Sequence, residues 1–172
     1  MERRQLILMR HATAGGSRGR DHDRTLTLRG LDEARRVGVR LRSKGPFPER
    51  VLCSSATRCR ETWQAVAAGL GATAVGAPIV EFQDRLYGST PSTLADAIAE
   101  VTEERVLLVL AHNPGISQLA FELGRGHAEN EVRLRKGFVP ATIACYEVEG
   151  PWSLLSAATA RLTRCEGPPS EA

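Results

Sequence analysis

The sequence has few aromatic residues and few cysteines, and it contains no long hydrophobic run. Aromatic residues make up 5% of the 172 positions, which leaves little for base stacking and argues against a nucleic-acid partner. The four cysteines show neither a CxxC pair nor Cys/His ligand spacing, so we expect reduced thiols and no metal site. No apolar stretch approaches the ~20 residues that span a bilayer, and Gln5–Met9 is too short for a signal-peptide core. We therefore expect a cytoplasmic protein with no membrane partner.

The remaining composition is typical of one globular domain. Apolar residues account for 42% of the chain and charged residues for 25%, which permits a packed core and argues against disorder. From the length we expect a single domain over residues 1–163. Residues 164–172, which include glycine, two prolines and serine, have the composition of a loose C-terminal tail.

Positive charge is concentrated in the first third of the chain. Residues 1–60 carry 15 Lys and Arg against 6 Asp and Glu, a net of +9, whereas residues 61–172 carry 8 against 14, a net of −6. Of the 23 basic residues 21 are arginine, whose planar guanidinium holds phosphate or carboxylate with two hydrogen bonds. The pattern favours an anionic substrate, although a solvated helix face accounts for many of these arginines.

Strand-like and helix-like segments alternate along the chain, which indicates an α/β fold. Short apolar runs predict strands over residues 5–9, 51–54, 78–82, 106–110, 142–147 and 152–157. Apolar residues at helical spacing predict helices over residues 28–43, 56–68, 91–101 and 115–123, with Thr27, Ser55 and Thr90 as candidate N-caps. The expected architecture is a three-layer α/β/α sandwich around a mainly parallel central sheet.

Unusual residues follow three of the predicted strands, at the positions where open α/β sheets bind ligands. Arg10 and His11 follow the first strand, Arg58 comes shortly after the second, and His112 and Asn113 follow the fourth. A neutral imidazole can attack phosphorus and carry the phosphoryl group as a covalent intermediate. Arginine forks, a second imidazole and helix N-termini can hold the phosphoryl oxygens. This set therefore predicts phosphoryl transfer without a metal ion or another cofactor.

These residues resemble the motifs of the histidine phosphatase superfamily, which has the phosphoglycerate mutase-like fold. Arg10-His11-Ala12 is similar to the Arg-His-Gly motif that ends the family's first strand, and Leu26–Gly30 to its Leu-Thr-x-x-Gly element. Ser54–Thr62 resembles its Ser-x-x-x-Arg-x-x-x-Thr element, and His112 its late histidine. The resemblance implies that His11 is the phosphorylated nucleophile, and that the two motif arginines and His112 form the rest of the phosphate pocket.

Within the superfamily, the short chain, the Arg-His-Ala variant and the turn at His112–Gly115 look most like the SixA-type phosphohistidine phosphatases. Little room remains for the inserted segments that close over the substrate in larger members. The resemblance therefore implies an open site and phosphohistidine in a protein as the substrate. A small phosphoester, such as a nucleotide or a sugar phosphate, is the alternative substrate. A non-catalytic phosphate- or nucleic-acid-binding module is the alternative from another class.

The proton donor stays open at this stage. Phosphatases that act on alcohol esters supply a carboxylic acid, because an alkoxide leaves poorly without a proton. Asp84 is the first candidate for this acid and Glu81 the second, but an ion pair of Asp84 with Arg85, or a solvated turn, explains it equally well. Phosphohistidine needs less help, because its imidazole leaving group is protonated at a pKa of about 6.5.

A few other side chains have a functional and a structural interpretation. Arg18 lies in a glycine-rich loop after His11, from which it could reach a substrate phosphate, although solvent exposure is the simpler expectation. Tyr87, near the expected mouth of the site, could contact substrate or merely pack. His22 and His127 lack comparable neighbours in sequence, and we interpret them as structural.

Overall fold

The computed structural model of the chain describes residues 3–16, 19–72, 76–126 and 128–170. Arg18 and His127 lie outside the described residues. Among the described residues, no helix is both long enough and apolar enough to cross a membrane.

A six-stranded sheet forms the centre of this part of the chain. Its strands are β1 (Arg3–Arg10), β2 (Arg50–Ser54), β3 (Ile79–Gln83), β4 (Val106–Ala111), β5 (Ile143–Glu149) and β6 (Ala160–Glu166). They lie side by side in the order β3-β2-β4-β1-β5-β6. The first four pair in parallel, and β5 and β6 extend the sheet in antiparallel orientation. The predicted α/β fold with a mainly parallel sheet is confirmed.

Helices cover both faces of the sheet. They are α1 (Leu28–Lys44), α2 (Thr57–Leu70), α3 (Pro91–Ala99), α4 (Gly115–Leu123) and α5 (Ala128–Arg135). Successive residues of a strand point to opposite faces, so in β1 Ile7 and Met9 pack with residues of α1 and α2. Leu6 and Leu8 instead pack with residues of α3, α4 and α5. Because both faces are buried, the inner strands read as continuous apolar runs rather than as alternating patterns.

A close backbone contact ties the start of α1 to the loop after β1. Thr27 caps the helix through its Oγ1, which accepts a hydrogen bond from the Gly30 N–H at 3.0 Å. The Thr27 N–H donates to the Thr13 carbonyl, also at 3.0 Å. A Cβ atom on Gly30 would lie 2.0 Å from that same carbonyl oxygen. Glycine is therefore required here, which gives the Leu-Thr-x-x-Gly element a physical explanation.

Two predicted features of the helices differ from the structure. Helix α2 begins at Thr57 with Ala56 at the N-cap, so the predicted cap at Ser55 is wrong, whereas the cap at Thr90 is confirmed. Helix α5 is absent from the sequence prediction because half of its residues are charged and only Leu134 is buried. A helix with so narrow an apolar face gives no periodic signal.

The strand predicted over residues 152–157 is also wrong. Residues Trp152–Leu154 form a 3-10 turn, and the last strand follows only at Ala160. The Trp152 side chain is buried, and its Nε1–H donates to the Glu104 carbonyl at 2.8 Å. The apolar Trp152 side chain therefore holds a turn against the core and does not belong to a strand.

The first residues of the expected loose tail belong to the central sheet. Arg164, Cys165 and Glu166 are the last residues of β6, so they pair with β5. Strand β6 forms by pairing with β5. Local composition does not reveal such a partner, so the sequence did not predict the strand here.

Candidate active site

The structure brings the residues after β1, β2 and β4 together at one edge of the sheet. These three strands are neighbours and run in parallel, so their carboxyl ends open at the same edge. The ring centroids of His11 and His112 lie 5.2 Å apart, and Nε of Arg58 lies 3.3 Å from Nε2 of His11. The side chains of His11, Arg58 and His112 are all buried.

The hydrogen bonds of His11 determine which ring nitrogen is free. Its Nδ1 lies 2.8 Å from the carbonyl oxygen of Ala12, and a carbonyl can only accept, so Nδ1 carries the proton. The lone pair is therefore on Nε2, where it accepts a hydrogen bond from Nε–H of Arg58. Burial lowers the pKa of His11 to about 4, the Ala12 carbonyl opposes this shift, and the charges of Arg58 and Arg10 add to it. At neutral pH His11 thus presents an unprotonated nitrogen.

The Ser-x-x-x-Arg-x-x-x-Thr element contributes three contacting side chains at successive four-residue steps. The Ser54 hydroxyl lies 2.7 Å from Nε2 of His112, and Arg58 reaches His11. The Thr62 hydroxyl donates to the Arg58 carbonyl at 2.6 Å and accepts the N–H of Ala12 at 3.1 Å. Residues four apart lie on the same side of a helix, so α2 aligns Arg58 and Thr62 along the loop after β1.

His112 is buried and has few hydrogen-bond partners. Besides Ser54, the Sγ of Cys59 lies 3.5 Å from its Nε2. Its Nδ1 is buried and has no hydrogen-bond partner among the described residues. Burial, with a smaller contribution from the charges of His11 and Arg58, lowers the pKa of His112 to about 3. A bound anion would compensate for this desolvation, because a nearby negative charge stabilises imidazolium.

Arg10 and Asn113 converge on a backbone atom from a distant part of the chain. Nη1 of Arg10 donates to the Phe138 carbonyl at 2.7 Å, and Nδ2 of Asn113 donates to the same oxygen at 3.0 Å. Burial lowers the pKa of the Arg10 guanidinium, and its Nε is buried without a partner among the described residues. This contact fixes the two predicted phosphate-binding side chains relative to each other.

The structure adds an acidic group that sequence reasoning missed. Asp21 lies in a 3-10 turn over Asp21–Asp23 and accepts hydrogen bonds from Arg58 on both its backbone and its side chain. Its Oδ2 also accepts the hydroxyl of Tyr87 at 2.7 Å, and its Oδ1 accepts Nη1 of Arg24 at 3.1 Å. The hydrogen bonds from Tyr87 and Arg24 hold the pKa of Asp21 well below its usual range. The only sequence signal was the closeness of this acidic turn to the motif at Leu26–Gly30.

Aromatic rings line the same side of the site. The Tyr87 ring contacts the rings of His112 and His22 edge-on, with centroid distances of 5.4 Å and 5.0 Å. Nε2 of His22 also lies 3.0 Å from the Ser55 hydroxyl. His22, interpreted from sequence as structural, therefore lies beside the candidate site, and both its ring and that of Tyr87 are partly exposed.

The two carboxylates considered from sequence as proton donors do not join this cluster. Glu81 pairs with Arg50, which also pairs with Glu104 just before β4, at the opposite end of the strand from His112. The Asp84 side chain is exposed and forms no hydrogen bond or ion pair with the described residues. Of the two structural alternatives for Asp84, the structure shows the solvated turn rather than the ion pair, because Arg85 pairs with Glu100.

The chain is similar to known proteins in both sequence and fold. The family model of the histidine phosphatase superfamily (branch 1) matches residues 6–106. An uncharacterized protein of Mycobacterium leprae is 36% identical over 162 residues, which cover 90% of this chain and 96% of that protein. A solved structure provisionally named phosphohistidine phosphatase SixA, from Nakamurella multipartitia, is 32% identical with a TM-score of 0.86 and covers 99% of each chain. A mycobacterial glucosyl-3-phosphoglycerate phosphatase shares the fold at 14% identity, with a TM-score of 0.61 and coverage of 96% of this chain and 98% of that one.

Proposed function

Since the chain belongs to the histidine phosphatase superfamily, branch 1, and is a phosphatase, we propose that Nε2 of His11 receives the phosphoryl group of the substrate. The observation that carries the proposal is the orientation of this ring: Nδ1–H is held by the Ala12 carbonyl, and the Nε2 lone pair faces Nε–H of Arg58. A nucleophile needs an unprotonated nitrogen, and the lowered pKa of His11 supplies one at neutral pH.

The reaction proceeds in two displacements. In the first, the Nε2 lone pair of His11 forms a bond to phosphorus, and the bond between phosphorus and the leaving group breaks with its electron pair on the leaving group. In the second, water attacks the phosphorus, the Nε2–P bond breaks, and inorganic phosphate leaves. Arg10, Arg58, Asn113 and His112 hold the phosphoryl oxygens, whose charge must be stabilised as the group transfers. These side chains supply the nucleophile and the cations, so we expect turnover in the presence of a chelator.

We propose phosphohistidine in a protein as the substrate. Asp21, the carboxylate that contacts Arg58, has a pKa held well below its usual range, so at neutral pH it has no proton to give to an alkoxide. An imidazole leaving group avoids this difficulty, because it takes up a proton near neutral pH. The exposed edges of Tyr87 and His22 offer aromatic surface beside the pocket for such a planar ring. The similarity to the Nakamurella multipartitia structure points the same way.

The experiment compares a histidine-phosphorylated protein with p-nitrophenyl phosphate, a sugar phosphate and a nucleotide, all in chelator. Wild type, His11→Ala and Asp84→Asn are assayed in parallel, and acid-stable and acid-labile phosphoenzyme are measured after rapid quenching. We expect preferred turnover of phosphohistidine, an acid-labile phosphoenzyme that His11→Ala abolishes, and an Asp84→Asn variant within about twofold of wild type.

Other outcomes would contradict parts of the proposal. Normal hydrolysis by His11→Ala would refute the covalent role of His11. Preferred turnover of a small ester that falls sharply in Asp84→Asn would keep His11 as the nucleophile, but would assign a small phosphoester as the substrate and Asp84 as its acid.

A further inference from the structure

Arg58 uses its two edges for different contacts. Nη1 donates to the backbone carbonyl of Asp21 at 2.7 Å and Nη2 to its Oδ2 at 3.0 Å, so Asp21 holds the outer end of the guanidinium. Nε points the other way, to Nε2 of His11 at 3.3 Å. A guanidinium has five N–H groups, so these three contacts leave one hydrogen on Nη1 and one on Nη2. Nε–H donates to His11 in this structure, so it lies where it can donate to a phosphoryl oxygen beside His11 while Asp21 stays bound.

Asp21 is itself held from two sides. Its Oδ2 accepts the Tyr87 hydroxyl at 2.7 Å, and its Oδ1 accepts Nη1 of Arg24 at 3.1 Å. Arg24 is in turn anchored through Nε to the Gly15 carbonyl at 2.8 Å, in the loop after β1. Asp21 thus connects the loop after His11, the loop after β3 and the side chain of Arg58.

The burial of the two partners explains why this contact matters. The Arg58 side chain is 7% exposed, whereas that of Asp21 is 54% exposed. A buried guanidinium needs partners for its N–H groups, and one without them would reorient toward solvent or toward another acceptor. Preorganised donors accelerate phosphoryl transfer because they need not move as charge develops.

We propose that Asp21 is a positioning residue of the phosphatase reaction, which orients the Nε side of Arg58 toward the phosphoryl group on its way to His11. The inference rests on the proposed function, since it assigns Arg58 to the transferred phosphoryl group. Asp21 does not touch substrate; it acts through Arg58, and Tyr87 acts through Asp21.

The test measures kcat and KM for p-nitrophenyl phosphate and a histidine-phosphorylated protein, together with the affinity for inorganic phosphate by calorimetry. Asp21→Asn keeps the shape of the side chain but weakens the charged hydrogen bond to Arg58. We expect a loss of roughly tenfold to 100-fold in kcat/KM, the range for a hydrogen bond to a charged group, and weaker phosphate binding. The matched control is Asp23→Asn in the same turn. Asp23 is exposed and, among the described residues, its side chain pairs with His22 and not with Arg58, so this variant should stay within about twofold.

A double-mutant cycle separates positioning from a general effect on folding. Tyr87→Phe removes the hydroxyl that donates to Asp21. We expect Tyr87→Phe alone to lower kcat/KM less than Asp21→Asn does, and the double variant to have a kcat/KM close to that of Asp21→Asn. NMR titration adds a second readout, because the charge of Asp21 raises the pKa of His112 and its removal should lower it. Melting temperatures show whether each variant is folded. The proposal would be overturned if the losses in kcat/KM from the two substitutions were additive and the titration of His112 were unchanged.

An opposite role for Asp21 gives an opposite result. If its carboxylate merely occupied Arg58 and competed with phosphate, Asp21→Asn would bind inorganic phosphate more tightly, and this would overturn positioning. His11→Ala distinguishes the two levels of inference. If it is inactive while Asp21→Asn equals wild type, only the role of Asp21 fails; if it remains active, the proposed function fails.

Discussion

The two buried histidines should make the stability of this protein fall steeply between pH 7 and pH 5. His11 and His112 are 9% and 6% exposed, and burial lowers their pKa values to about 4 and about 3. In the unfolded chain both return to about 6.5. Between these values the unfolded state binds up to two more protons than the folded state, so protonation favours unfolding. The stabilisation is complete above the unfolded pKa and is lost as the pH falls toward the folded values.

The magnitude follows from these pKa values. One pKa unit corresponds to about 1.4 kcal/mol, so each histidine removes about 2 kcal/mol from the free energy of unfolding between pH 7 and pH 5. The pair therefore removes about 4 kcal/mol, a large part of the 5–15 kcal/mol that typically stabilises a domain. At pH 5 the folded state still keeps both rings neutral, because that pH lies above both shifted values.

Urea unfolding followed by circular dichroism at pH 7, 6 and 5 measures this dependence. The variant His11→Asn removes one of the two titrating groups, so its free energy of unfolding should fall by about 2 kcal/mol over the same range, half the wild-type change. If wild type and His11→Asn show the same pH dependence, or if neither changes, the buried histidines do not control it and the reasoning is refuted. Inorganic phosphate should reduce the wild-type dependence, since a bound anion raises both pKa values in the folded state.

Two further predictions concern single contacts. Gly30→Ala places a Cβ atom 2.0 Å from the Thr13 carbonyl oxygen, so we expect a loss of about 2–4 kcal/mol in urea unfolding. Gly16→Ala, whose Cβ meets nothing within 4 Å, should unfold like wild type, and equal effects would disprove the steric argument. Arg58→Lys keeps the charge but loses the fork that contacts His11 and Asp21 together, so kcat/KM should fall about 100-fold or more. Arg60→Lys, an exposed arginine stacked on Phe82, is the control and should stay within about twofold; a similar loss in both would indicate a general charge effect.

Most of the fold could be predicted from the sequence because its strands and helices carry strong local patterns. The apolar runs of β1 and β4 and the periodic faces of α1 and α4 lie where predicted. The failures occur where packing overrides local pattern. The buried Trp152 belongs to a turn, α5 has almost no apolar face, and β6 forms only because β5 offers an edge for pairing.

The candidate site residues could be found from local sequence pattern alone. His11, Arg58 and His112 each follow a predicted parallel strand, and parallel strands in one sheet must open at the same edge, so local pattern and topology suffice to bring them together. The neighbours of these residues could be identified only in the folded structure. Tyr87 and Asp21 are 66 residues apart, and Phe138 lies 128 residues from Arg10. Such contacts depend on how loops close across the finished sheet, and no periodicity or spacing in the chain encodes that closure.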